Sequence, residues 1–266
     1  MPPFRWDLVT PDQLGSLLDD ADEPRLWFLD DLVTCAGKVL ARGGDARLVF
    51  VGRSLDSMFD LLSGAIPDRV TRLPVSFAGF TRAHAPKARE VLTEHGITPA
   101  ILAREAVTFV DVVSRGSTFE ELFSLLDNYI VDSREPWDVI RRQLRFVGVT
   151  VQGKTSPNAW RWQQHADWTA RLPARAIQNV SLPYLVWTYF GDHQTKLTRS
   201  FRPATWYADD EGPDRGEKTR NALAEAVALV RYGRSREGRR ALARATAGEP
   251  ALRESWLRSL ATELGR

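Results

Sequence analysis

Val107-Thr108-Phe109-Val110-Asp111-Val112-Val113-Ser114-Arg115-Gly116-Ser117-Thr118-Phe119 reads as a strand, a loop and a helix start in one line. Val107 to Val110 is a short continuous apolar run, the pattern of a strand buried on both faces. It delivers Asp111, and Ser114 to Thr118 then open a helix over Phe119–Ile130. Leu122, Phe123, Leu125, Leu126 and Ile130 form that helix's apolar side.

The same alternation extends outward on both sides. Leu48-Val49-Phe50-Val51 is a second buried strand, which ends in Gly52-Arg53-Ser54 and runs into a helix through Met58, Phe59, Leu61 and Leu62. Leu73–Phe80 reads as a strand weakened by Pro74. Helices are expected at Pro86–Glu94, Pro99–Glu105 and Trp137–Leu144, followed by a strand at Phe146–Val151. Upstream, Pro11–Asp20 and Pro24–Ala41 read as helices that open on proline, and Gly43-Gly44-Asp45 breaks the second. Strands alternating with helices predict an α/β fold with a Rossmann-like, mostly parallel sheet flanked by helices.

Beyond Gly153 the character of the chain changes. Five of the nine tryptophans lie between Trp160 and Trp206, among many basic residues. From Glu217 onward, Ala, Leu and Arg recur as in two or three amphipathic helices. The expected division is therefore an α/β domain over 1–152 and a Trp-rich hood with C-terminal helices over 153–266.

Composition narrows the functional classes. Hydrophobic residues make up 43% and charged residues 26%, ordinary for a soluble globular protein. With 36 basic side chains against 34 acidic ones the net charge is only +2, which argues against a nucleic-acid binder with an all-basic surface. No secretory signal and no apolar run of about 18 residues is found, so the expectation is a cytoplasmic protein without a membrane span. The single cysteine, Cys35, excludes an intrachain disulfide and reads as an inert buried thiol. His84, His95, His165 and His193 have no partner at metal-ligand spacing. The acidic stretch Asp209-Asp210-Glu211 reads as a solvated loop.

The loop after Val110 has the chemistry of an anion site. A helix N-terminus offers unpaired N–H groups and positive potential, which attract phosphate. Gly116 allows close backbone approach, Ser114, Ser117 and Thr118 add hydroxyl donors, and Arg115 adds charge. Asp111 stands where it can accept hydrogen bonds from sugar hydroxyls. A plain helix cap would look much the same, with Ser117 or Thr118 followed by Glu120 or Glu121.

This segment resembles the phosphate-binding loop of the type I phosphoribosyltransferases: an apolar strand, two acids, two apolar residues, a variable residue, Thr, Gly, any residue, Thr. Val110 and Asp111 stand at the acid pair, so only the second acid is present. Val112 and Val113 match the apolar pair, Ser114 takes the variable position, Arg115 replaces a small hydroxyl residue, and Gly116 and Thr118 match. The resemblance covers roughly residues 45–150 and implies a divergent member of that family. It implies that Ser114–Thr118 hold a 5′-phosphate and that Asp111 binds ribose hydroxyls. It also implies that Gly52, Arg53 and Ser54 meet the pyrophosphate of phosphoribosyl pyrophosphate, used with magnesium. The implied activity is transfer of the sugar to an unknown acceptor, with Asp111 and Arg53 as the catalytic pair.

Two other readings stand beside it. One is a regulatory protein that binds a nucleotide or sugar phosphate without turnover. The other is a single-stranded nucleic-acid binder built on aromatics and bases over 154–206, including Lys196, Arg199 and Arg202. Buried packing of the tryptophans accounts for that segment equally well, as does a hood over the site. Phe80–Arg89, with Arg82, His84, Lys87 and Arg89, reads either as a basic lid or as a solvated helix start. The oligomeric state is left open, a homodimer included.

Overall fold

Five parallel strands decide the architecture. β1 (Arg47–Val51), β2 (Val70–Leu73), β3 (Val107–Val112), β4 (Leu144–Val151) and β5 (Ile177–Leu182) pair in the order β2-β1-β3-β4-β5. All four pairings are parallel, with Val49 opposite Thr71 and Phe109, and Val110 opposite Phe50 and Val147. The computed structural model describes residues 5–9, 14–19, 21–153, 161–200, 202–206 and 215–266.

Successive strand side chains point to opposite faces, and both faces are covered. Leu48, Phe50, Val110, Val147, Val149, Val180 and Leu182 face one core layer. Over it pack α1 (Leu29–Gly43), α2 (Asp56–Ala65), α8 (Glu217–Arg234), α9 (Arg236–Ala247) and α10 (Ser255–Gly265). Val49, Val51, Leu73, Phe109 and Phe146 face the other layer. That side holds α3 (Ala85–Glu94), α4 (Pro99–Leu102), α5 (Ser117–Ser133) and α6 (Trp137–Gln143), together with the buried Trp162, Trp168 and Trp206. The short α7 (Tyr184–Thr188) follows β5.

Several expectations need correction. The helix foreseen over Pro24–Ala41 starts only at Leu29, because Phe28 is fully buried against Tyr189 and Phe190 and the chain turns to place it there. The strand foreseen over Leu73–Phe80 is instead Val70–Leu73. Pro74 carries no N–H for the ladder, and residues 74–80 leave the sheet as irregular chain. The helix at Pro99 closes at Leu102, short of Glu105. Of the helix foreseen over Pro11–Asp20, the described residues 14–19 form a turn with Gly15 at φ +51°; residues 11–13 and 20 lie outside the described residues. So do Trp160 and the acidic stretch Asp209–Glu211.

The boundary foreseen at 152/153 does not divide the sheet. β5 lies beyond it and continues the sheet from β4 in full register, Phe146 opposite Ile177 through Val151 opposite Leu182. Its sequence, Ile-Gln-Asn-Val-Ser-Leu, lacks the continuous apolar run of the inner strands because β5 is an edge strand with one neighbour. The C-terminal helices are equally integral. α2 and α8 cross at backbone contact: a Cβ at Gly64 would overlap the Val230 carbonyl, and one at Gly233 would overlap that of Leu61. Among the described residues no helix is long and apolar enough to cross a membrane.

Candidate functional site

Strand order reverses direction between β1 and β3, since β2 lies on one side of β1 while β3, β4 and β5 follow on the other. In open parallel sheets the loops at the carboxyl ends of such a pair splay apart and leave a crevice. A cleft of about 570 Å³ opens there. Its walls come from four segments: Val51–Ser54 after β1, Val75–Ala78 after β2, Asp111 with Ser117 and Thr118 after β3, and part of the stretch 191–200.

The β1 loop brings all three expected residues to the cleft. Gly52 sits at φ +68°, where a side chain would be strained, and a Cβ would lie 3.2 Å from the Val75 carbonyl oxygen. Arg53 reaches across to donate to the Thr198 carbonyl at 2.6 Å. Burial pushes its pKa down, with Asp56 opposing and Arg202 reinforcing the shift. Ser54 lines the same wall.

The β3 loop divides. Asp111, Ser117 and Thr118 line the cleft, whereas Val112, Val113, Ser114, Arg115 and Gly116 do not. Val112 packs on the α1 side of the sheet, and Val113 is buried on the other. Ser114 and Arg115 are exposed. Gly116, at φ +85°, is explained by packing: a Cβ there would lie 2.5 Å from Cε3 of Trp162. The Trp162 indole also donates to Asn179 Oδ1 on β5 at 2.7 Å. Among the described residues no side chain caps the first turn of α5, so its N–H groups keep their capacity to bind an anion.

Asp111 is 5% exposed, and its Oδ1 accepts from the Val112 N–H at 2.7 Å. Burial raises its pKa to about 8, against the lowering pull of that bond, of Lys196 and of Thr118. Burial thus favours the protonated form of this carboxyl, while its neighbours favour the ionised one. Val110, where the family motif has its first acid, is fully buried in the opposite layer among Phe50 and Val147. An acid at that position would lose all its solvation.

The fourth wall belongs to the stretch expected as a hood, in which the sequence did not single out Lys196. Lys196 lines the cleft, and among the described residues its ammonium is held by carbonyls: Phe190 O at 2.8 Å, Gln194 Oε1 at 2.6 Å and Ser54 O at 3.3 Å. Burial lowers its pKa to about 8, while Asp56 pulls it back up. Gln194 in turn donates to Ser57 Oγ at 2.5 Å and to Glu225 Oε1, and Tyr189 donates to Glu225 Oε2 at 2.8 Å. Glu225 belongs to α8, so the C-terminal helix fixes the wall. Lys196 was visible only as one member of a basic cluster with Arg199 and Arg202. Beneath the cleft, Arg5 makes a two-point bond to Asp60 at 2.7 and 2.8 Å, and Arg72 pairs with Asp56 at 3.0 Å.

No protein-family model, curated protein or solved structure matches this chain. What the cleft does follows from its own residues.

A protein-held magnesium ion does not fit them. Magnesium takes oxygen ligands in octahedral array, and Asp111 is 5% exposed with Oδ1 already engaged by the Val112 N–H. Among the described residues no three His, Cys, Asp or Glu side chains are grouped to hold a metal. Cys35 is buried with its thiol pushed up to about 12 by burial. Three tryptophans of the stretch offer little stacking surface, since Trp162, Trp168 and Trp206 are 2%, 8% and 4% exposed. At Phe80–Arg89 three of the four basic groups have partners among the described residues. Lys87 pairs with Glu90, Arg89 with Asp132, and His84 Nδ1 accepts from the Thr81 N–H.

Proposed function

We propose that this protein binds a phosphorylated sugar, of the phosphoribosyl type, in the cleft at the carboxyl ends of β1 and β3. One observation carries the reading: Arg53, the half-buried Lys196 and the start of α5, which no side chain among the described residues caps, face one crevice at the switch point of a parallel sheet. Two cations and a helix N-terminus around one hollow favour an anion. Ser76, Asp192 and Glu121 on the same walls offer partners for sugar hydroxyls. The phosphate lies between Arg53 and Ser117–Thr118, and Asp111 meets a ligand oxygen or hydroxyl from the floor of the cleft. A magnesium ion, where one is needed, comes with the ligand's own diphosphate oxygens.

Transfer of the sugar to an acceptor follows from the phosphoribosyltransferase resemblance, including its fold. The burial of Asp111, which disfavours an ionised carboxylate, and the apolar Val110 favour the second reading, a binder without turnover, because a developing ribose cation is stabilised by such a charge. Calorimetric titration with ribose 5-phosphate, and with phosphoribosyl pyrophosphate with and without magnesium, tests the site. Binding that Arg53→Ala weakens by roughly 10- to 100-fold is expected, the cost of one charge-assisted contact. Absence of binding by all these ligands would leave α5 with an ordinary helix start and remove the proposal. Release of pyrophosphate during an acceptor screen separates transfer from binding.

A further inference from the structure

A second cavity of about 480 Å³ adjoins the first, and the two share Glu121 as a common wall. Its lining includes Phe80, Arg82, Ser124, Leu125 and Asn128. One wall of both cavities is the irregular chain after β2, with Phe77 in the first and Phe80 in the second, their rings edge to face at 5.2 Å. The other wall is a single face of α5, from Ser117 and Thr118 through Glu121 to Ser124, Leu125 and Asn128. Helical rise sets the scale: Ser117 to Ser124 spans roughly 10 Å at about 1.5 Å per residue. The two cavities thus lie side by side along one face of α5 at a spacing of nucleotide length, the first lined by Arg53 and Lys196 and the second by Phe80, Ser124 and Asn128 as well as Arg82, Arg89 and Asp132.

We infer that the ligand is a nucleoside 5′-phosphate whose base occupies the second cavity; this rests on the sugar-phosphate reading of the first. Phe80, packed against Phe77 and against Trp206 at 6.2 Å, supplies the aromatic surface of this cavity. Asn128 donates through Nδ2 to the Ser124 carbonyl at 2.8 Å, which fixes its amide, while Oδ1 accepts no bond among the described residues. That oxygen and the Ser124 hydroxyl meet the hydrogen-bonding edge of a base. Glu121, between the two cavities, falls where the ribose hydroxyls lie. Arg82, which makes no ion pair among the described residues, and the Arg89–Asp132 ion pair also line this cavity.

The test is calorimetry with ribose 5-phosphate, AMP and UMP on the wild type, Asn128→Ala, Phe80→Leu and Arg53→Ala. The expected result is that at least one nucleotide binds ten times or more tightly than ribose 5-phosphate. Asn128→Ala and Phe80→Leu each cut that advantage at least threefold and leave ribose 5-phosphate affinity unchanged. Arg53→Ala weakens all three ligands. Asn128 is exposed, so its variant keeps the fold even if Phe80→Leu does not. Equal affinity for ribose 5-phosphate and both nucleotides, or an advantage that survives Asn128→Ala and a folded Phe80→Leu, overturns the base site but leaves the phosphate site standing. Loss of Arg53 dependence for every ligand, or no binding by any, overturns both.

Discussion

The β1 loop and the β3 loop leave the same end of the same sheet, and each carries a glycine followed or preceded by an arginine. After β1, Gly52 turns the chain and Arg53 enters the cleft. After β3, Gly116 turns the chain too, but Arg115 faces solvent and the glycine's empty side receives Trp162. The better motif in the sequence thus supplies fewer cleft residues than the weaker one. What packs behind a glycine decides whether the loop cradles a ligand or a tryptophan, and for Gly116 the partner comes from a segment more than forty residues downstream.

Breaking the Gly116–Trp162 contact should have the largest effect. Trp162→Ala is expected to destabilise the protein by about 3–5 kcal/mol in chemical denaturation, since the indole is 2% exposed and bonds Asn179. Gly116→Ala adds a Cβ at positive φ and 2.5 Å from the indole, so it should cost about 2–4 kcal/mol. If the two sites are coupled as described, part of that second cost disappears in the double variant; full additivity would show that Trp162 does not explain the glycine.

Next in size is the contrast between the arginines as ligand contacts. Arg53→Ala should weaken ribose 5-phosphate by roughly 10- to 100-fold, with a thermal shift of only a few degrees from its lost bond to Thr198. Arg115→Ala should leave affinity within about twofold, because an exposed charge outside the cleft is screened. Equal losses from both would put Arg115 back in the site.

A smaller effect sharpens the role of Asp111. Its folded pKa is raised to about 8 from an ordinary carboxylate value, so its contribution to stability is present at low pH and is lost as pH rises toward 8. Asp60, raised to about 6 by burial against the pull of Arg5, contributes with the same sign up to pH 6. Lys196, lowered to about 8, acts with the opposite sign and above pH 8. Between pH 6 and 8 the decline belongs mainly to Asp111, at up to roughly 1.4 kcal/mol per pH unit. Asp111→Asn should flatten that slope in urea titrations, and an unchanged slope would show that Asp111 is ionised in the native protein.

The inner strands were legible because burial on both faces writes itself as an unbroken apolar run, as in Leu48–Val51 and Val107–Val110. β5 was not, because an edge strand in this chain tolerates Gln178, Asn179 and Ser181. Of the readings open for the Trp-rich stretch, buried packing holds for Trp162 and Trp168, which belong to the core between α5 and the sheet. Local sequence also could not show that Pro74 releases residues 75–80 from the sheet to become one wall of both cavities.

By itself the sequence determined an α/β chain of alternating strands and helices, with glycine turns after β1 and β3 and a helix start after the second. Those features depend on neighbours within a few residues: apolar runs, turn glycines and hydroxyl-rich helix openings. Only the tertiary structure decided the strand order that opens the crevice, the choice of Arg53 over Arg115, and the arrival of Lys196 from a wall fixed by Glu225. Each of these depends on side chains brought together from distant segments, where packing and desolvation act on the folded whole and leave no pattern in the local sequence.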